Sequence, residues 1–218
     1  MKVILFGATG MVGQGVLREC LRAPDVESVL VIGRTPTDLW HTKLREIVHA
    51  DLTDYTAIEH ELAGHDACFF CLGVSAAGMS EQDYTRITYD ITLAAANVLA
   101  RLSPAMTFVY VSGDGTDSSE QKRAMWARVK GKTENALLKL PFKAVMFRPG
   151  LIRPLHGFRS KTRLYRIAYT VMWPLFPLLG ALGLLTTTER VGQAMLRVAR
   201  DGAPKPILGN HDINQLAA

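Results

Sequence analysis

The sequence predicts an α/β fold: a doubly wound parallel sheet with helices on both faces and a small C-terminal apolar cap. Three observations carry that prediction. Apolar runs alternate with helix-like stretches along most of the chain. The runs are continuous rather than alternating, as in strands buried on both faces. The first run, Val3-Ile4-Leu5-Phe6, flows straight into Gly7-Ala8-Thr9-Gly10-Met11-Val12-Gly13.

That junction reads as a buried strand, a tight glycine turn and the opening of a helix. It is the device by which a Rossmann-type fold offers backbone N–H groups to a dinucleotide pyrophosphate. Gly7 allows the turn, Gly10 lets phosphate approach the backbone, and Gly13 lets the helix pack on the strand. The spacing is G-x-x-G-x-x-G rather than G-x-G-x-x-G, with Thr9, Met11 and Val12 completing the loop.

Further strands are expected at 28–32, 46–49, 67–72, 107–112 and 143–147, after the first at 2–6, with a short last one near 206–208. Helices are expected at 11–22, 54–62, 81–102, 121–139 and 188–200, the first closed by Pro24 and Asp25. The chain reads as one domain over residues 1–218, with 151–187 as a cap, substrate or interface segment within it.

With 48% hydrophobic and 21% charged residues, the chain can bury a full core. The formal charge of +5 comes without an arginine-rich arm, which argues against nucleic acid and suits an anionic cofactor. The N-terminus does not read as a signal peptide, so the cytoplasm is the expected compartment. Cys68-Phe69-Phe70-Cys71 spells C-x-x-C, but on a strand residues three apart point to opposite faces. Those cysteines, with Cys20, are expected in the core and not as a redox pair. The scattered histidines indicate no metal site.

After Arg148-Pro149-Gly150 the rhythm breaks. A basic stretch at 159–163 precedes an uncharged run from 167 to 188, interrupted by Pro174, Pro177, Gly180 and Gly183. The prolines argue against a membrane span. A buried cap, a dimer surface or a peripheral membrane contact remains open.

The second strand ends Ile32-Gly33-Arg34-Thr35. A NAD-binding unit places an Asp or Glu there to hold the ribose hydroxyls. Arg34 would instead pair with a 2′-phosphate, which favours NADP(H) over NAD(H). Asp51, after the third strand, could accept a hydrogen bond from an adenine amino group or could cap the next helix, where Asp54 competes.

With Gly7 to Gly13, Asp51-Leu52, Leu72-Gly73, Tyr110-Val111-Ser112 and Arg148-Pro149-Gly150, the chain resembles the short-chain dehydrogenase/reductase superfamily. It looks most like the atypical and extended, epimerase-like branch that includes the Tat-interacting oxidoreductase group. The resemblance implies NAD(P) binding through those segments, with Pro149 and Gly150 lining the nicotinamide pocket. It implies a catalytic Tyr-x-x-x-Lys on a helix and a serine at the end of the preceding strand. Ser112 matches the serine and Lys130 the lysine, which would also hold the nicotinamide ribose. Thr88 matches a position where the family often has Asn or Asp. The tyrosine position holds Trp126. An indole is a donor only and does not titrate in the useful range, so it cannot replace the tyrosine in acid–base chemistry. None of Tyr84, Tyr89 and Tyr110 has a lysine four residues on. The expectations are an oxidoreductase with an altered site, acting on an unidentified small or apolar carbonyl or alcohol, an epimerase-like enzyme, or an NADP(H)-binding regulatory or interaction protein. A homodimer through the helices at 81–102 and 121–139 is expected by the same resemblance.

Overall fold

The computed structural model describes residues 1–157 and 184–218. Its strands are β1 (Lys2–Phe6), β2 (Ser28–Gly33), β3 (Leu44–Val48), β4 (Ala67–Phe70), β5 (Thr107–Val111), β6 (Lys143–Arg148), β7 (Leu151–Arg153), β8 (Leu185–Thr187) and β9 (Ile207–Gly209). The helices are α1 (Met11–Arg22), α2 (Glu59–Leu62), α3 (Glu81–Thr85), α4 (Ile91–Leu102), α5 (Met125–Leu137), α6 (Thr188–Asp201) and α7 (Asn210–Leu216). Seven strands form a wholly parallel sheet in the order β3-β2-β1-β4-β5-β6-β9. The order reverses at β1, and a Rossmann-type sheet binds its ligand where such a reversal occurs.

Strand residues alternate between two cores. Val3, Leu5, Val31 and Phe69 pack with Val16 and Cys20 of α1 and Val191 and Met195 of α6. Ile4, Phe6, Ile32 and Phe70 pack on the other face with Ala95 and Leu99 of α4. Cys68 belongs to the second core and Cys71 packs against the first, so the two thiols lie on opposite faces, and both are free. Two glycines let α1 and α6 touch closely. A Cβ on Gly15 would come within 2.6 Å of Thr188, and one on Gly192 within 2.9 Å of Glu19.

The structure departs from the expected elements in several places, among them the unforeseen short helix α7 and the later start of α5. The helix expected at 54–62 is a 3₁₀ turn, Thr56–Ile58, followed by the single-turn α2. The helix at 81–102 is interrupted by a π turn, Arg86–Asp90. Strand β3 begins at Leu44, two residues before the expected start. Finally, β7 and β8 form a separate parallel pair, Leu151 opposite Leu185 and Arg153 opposite Thr187, which the sequence did not suggest. This pair stands at the two ends of the expected cap. The basic stretch and most of the uncharged run fall at 158–183, outside the described residues. No helix among the described residues is long and apolar enough to cross a membrane.

Candidate cofactor and active site

The site is built at the C-terminal ends of the strands. Gly7 follows β1 with a φ of +78°, a left-handed conformation that only glycine adopts freely. A Cβ on it would also lie 2.6 Å from the backbone of Cys71 and Leu72. The Gly10 amide bonds the Gly7 carbonyl at 2.9 Å, closing the turn. A Cβ on Gly13 would overlap that same carbonyl, so α1 can sit on the loop only with glycine there. Gly10 is the N-cap of α1 and brings no side-chain cap, and the first turn carries no acid. The first-turn amides, from Met11 to Gly13, therefore have no intrahelical acceptor. A phosphate group fits this cradle by geometry and by the sign of the helix dipole.

Arg34 is exposed just beyond β2. Beside it a cavity of about 920 Å³ opens between Thr9, Arg18 of α1 and the loop from Thr35 to Leu39. That loop is pinned where Thr37 donates its amide and hydroxyl to the Glu46 carboxylate of β3. Asp51 is exposed, and its Oδ1 accepts the Thr53 amide at 2.9 Å and the Thr53 hydroxyl at 2.6 Å. Asp54 does the same for Thr56, so it is Asp54 that opens the 3₁₀ turn. The Leu52 side chain is buried in the second core, Leu72 packs partly against that core, and Gly73 is exposed beyond β4.

The second half of the site lies between the end of β5 and the start of α5. Trp126, Lys130 and Glu134 follow one another at four-residue spacing and share a helix face. Trp126 is half-buried against Gly115, where a Cβ would come within 3.1 Å of its ring. Lys130 is half-buried and donates from Nζ to the Ser112 carbonyl. Burial pushes its ammonium down to about 8, and the Glu134 charge works against that shift. Ser112 is buried, and its hydroxyl donates to Glu134 Oε1 at 2.5 Å. Glu134 is wholly buried and pairs with Arg148 through both oxygens. With Glu134 buried and paired to Arg148, it forms no solvated surface pair with Lys130. Pro149 is buried and its carbonyl accepts the Asp114 amide at 2.8 Å, while the Gly150 amide bonds Asn210 Oδ1 at 3.2 Å.

The loop between β5 and α5 is held by Asp117. Its carboxylate accepts the Ser119 hydroxyl and the amides of Ser119, Gln121 and Lys122. These bonds, led by the Ser119 hydroxyl, hold the carboxyl well below the usual range. They also delay α5 to Met125, later than the sequence suggested. Thr88 sits in the π turn, 5% exposed, and its hydroxyl has no hydrogen-bond partner among the described residues. Tyr84 and Tyr110 are buried, and burial pushes the Tyr110 phenol far up. Tyr89 lies under the Lys132 ammonium, 4.6 Å from its ring centre. Sequence reasoning missed Glu134 and Asp117 as members of this constellation.

A parallel sheet with this glycine loop at its point of reversal is the architecture of an NAD(P)-binding protein. The chain belongs to the NAD(P)H-binding family, whose model matches residues 7–150. Among relatives, Protein FMP52-2, mitochondrial, of Scheffersomyces stipitis is 29% identical over 206 residues, 92% of this chain and 88% of that protein. Protein HTATIP2 of Rattus norvegicus is 27% identical, covering 68% of this chain and 66% of its own. Among solved structures, Bordetella bronchiseptica WbmF in complex with NAD⁺ has a TM-score of 0.69 at 15% identity, covering 99% of this chain and 76% of that one. A short-chain dehydrogenase/reductase family oxidoreductase from Burkholderia thailandensis has a TM-score of 0.71 at 17% identity, covering 98% and 92%. These bear out the superfamily and fold read from the sequence. They also correct the expected compartment: relatives from Scheffersomyces stipitis and Meyerozyma guilliermondii are named as mitochondrial, which overturns the cytoplasmic reading.

Proposed function

We propose that the protein is an NADP(H)-binding oxidoreductase of the short-chain type whose proton-donating step is impaired. The observation that carries this reading is an intact glycine cradle together with Trp126 at the place of the tyrosine. When bound, the nicotinamide supplies or accepts a hydride at a carbonyl or alcohol carbon. The first-turn amides of α1 would hold its pyrophosphate, Lys130 its ribose, and Arg34 a 2′-phosphate. Arg34 supports the phosphate because its guanidinium is exposed where a ribose-binding acid would repel it. Trp126 can stack or exclude water but cannot exchange a proton. Loss of general acid–base help costs roughly 10²–10⁴ in rate.

Calorimetric titration tests the cofactor half. NADPH should bind more tightly than NADH, and Arg34→Asp should narrow or reverse the preference. Equal affinities in the wild type would count against Arg34. A panel of aldehydes and ketones tests the chemical half, with weak turnover expected. Brisk reduction abolished by Lys130→Met would show that another donor has taken the tyrosine's place. A second reading, a redox-responsive binding protein without turnover, is favoured by the non-titrating Trp126 at the tyrosine's place. NADPH binding with no turnover, even in Trp126→Tyr, would select it.

A further inference from the structure

Glu134 has no exposed surface, yet no role in the reading above uses it. A carboxylate taken out of water is costly unless it is paired and hydrogen-bonded. Arg148 supplies the pairing and the Ser112 hydroxyl the further bond, at 2.5 Å. A hydroxyl has one proton to donate, and a charged acceptor binds it more strongly than a neutral one. The other oxygen within reach of Ser112 Oγ is the Phe147 carbonyl, at 3.2 Å. Ser112 in turn presents its own carbonyl to Lys130 Nζ. Glu134, Ser112 and Lys130 thus form one connected path from the buried face of α5 to the half-buried ammonium.

We infer that Glu134 is a positioning residue: it claims the Ser112 hydroxyl and so fixes the Ser112 carbonyl on which the Lys130 ammonium rests. Ser112 then acts through its backbone and does not offer its hydroxyl to a substrate oxygen. This rests on the reading that Lys130 faces bound NADP(H). Glu134 is also the charged group that acts on Lys130; Arg148 stands behind it, and the phenol of Tyr110 stays neutral over the range in which Lys130 titrates.

The test uses the full chain with two readouts. One is NADPH affinity by calorimetry. The other is the Lys130 titration midpoint, read by NMR of ¹⁵N-lysine-labelled protein and assigned by its loss in Lys130→Met. Glu134→Gln should weaken NADPH binding about three- to tenfold and lower the Lys130 midpoint, because an attractive charge is removed. Ser112→Ala should weaken NADPH binding by a similar factor. Combined with Glu134→Gln it should add nothing, because both cut one path. If Glu134 only anchors Arg148, a folded Glu134→Gln protein will lose stability and keep its NADPH affinity, and Ser112→Ala will leave the Lys130 midpoint unmoved; that overturns the inference. Additive losses, or wild-type affinity in Ser112→Ala, overturn it as well. Should Glu134→Gln fail to fold, Glu134→Gln with Arg148→Met leaves no lone buried charge and gives the same two readings. A wild-type protein that does not bind NADPH defeats the cofactor reading alone, because the Lys130 midpoint in Ser112→Ala, which removes no charge, still decides this one.

Discussion

Gly13 and Gly131 do the same work at two ends of the site. Each leaves room for a backbone carbonyl, that of Gly7 for the first and of Asp117 for the second, where a Cβ would overlap it. Neither has a soft side chain to push aside, so the backbone itself must move. Gly131→Ala should therefore lower the unfolding free energy by about 1–3 kcal/mol, measured by urea denaturation. Gly13→Ala should lower stability similarly and weaken NADPH binding too. A change below 0.5 kcal/mol at either position, on the order of an ordinary surface substitution, would contradict the packing described. At Trp126 the prediction runs the other way: Trp126→Tyr should raise carbonyl turnover above the wild-type level, read as NADPH oxidation. The glycine loop and the Trp126–Lys130 pair were legible in the sequence because both depend on local spacing. Glu134 was not. A glutamate four residues after a lysine reads as a surface pair, and only the fold brings Arg148 and Ser112 to it. A signal was present all the same: a face that carries Trp126 and Lys130 inward carries Glu134 with it.

Among the elements, the loop from β5 to α5 gathers four of its hydrogen bonds on one carboxylate. Asp117 is held well below the unfolded value of 3.8, so the stability it adds is present above that value and lost as pH falls through the lower, folded one. Asp117→Ala should free the loop and raise amide exchange at Ser119, Gln121 and Lys122. Unchanged exchange at those amides would refute its fastening role. Lys130 gives a slope of the same sign from the opposite cause, a charged form that the fold disfavours. Its ammonium is costly below about pH 8 and is shed by the folded protein before the unfolded chain sheds its own near 10.5. Its contribution to stability should rise across that window, and Lys130→Met should flatten the rise in a pH series of urea midpoints. Most of the central elements could be placed from apolar runs alone. What escaped was short or tertiary in origin. Three-residue β7 and β8 carry too little pattern to register. The π turn leaves no mark on a helical period, although such turns recur at functional sites.

On the scale of the whole molecule, the apolar surface of the loop after β2 stands out. Trp40 is 88% exposed, and Leu39, 55% exposed, lines the cavity beside α1. The homodimer and the peripheral membrane contact expected from the sequence are carried forward as proposals. Light scattering should give twice the chain mass for a dimer, and liposome sedimentation should recover the protein if a lipid surface is involved. A monodisperse monomer that ignores liposomes would defeat both.

The place of β1 in the sheet has a consequence for how the chain comes off the ribosome. Within this sheet the strand made before the others is a central one, flanked by β2 and β4. Its β2 side can close once residue 33 has emerged, but its other edge waits until residue 70. During that interval Val3 to Phe6, all without exposed surface in the finished protein, lie along an unpaired strand edge. Such an edge is a template for pairing with another chain. Nascent chains halted before residue 67 should therefore be held by chaperones or aggregate, and chains released beyond residue 70 should do so less.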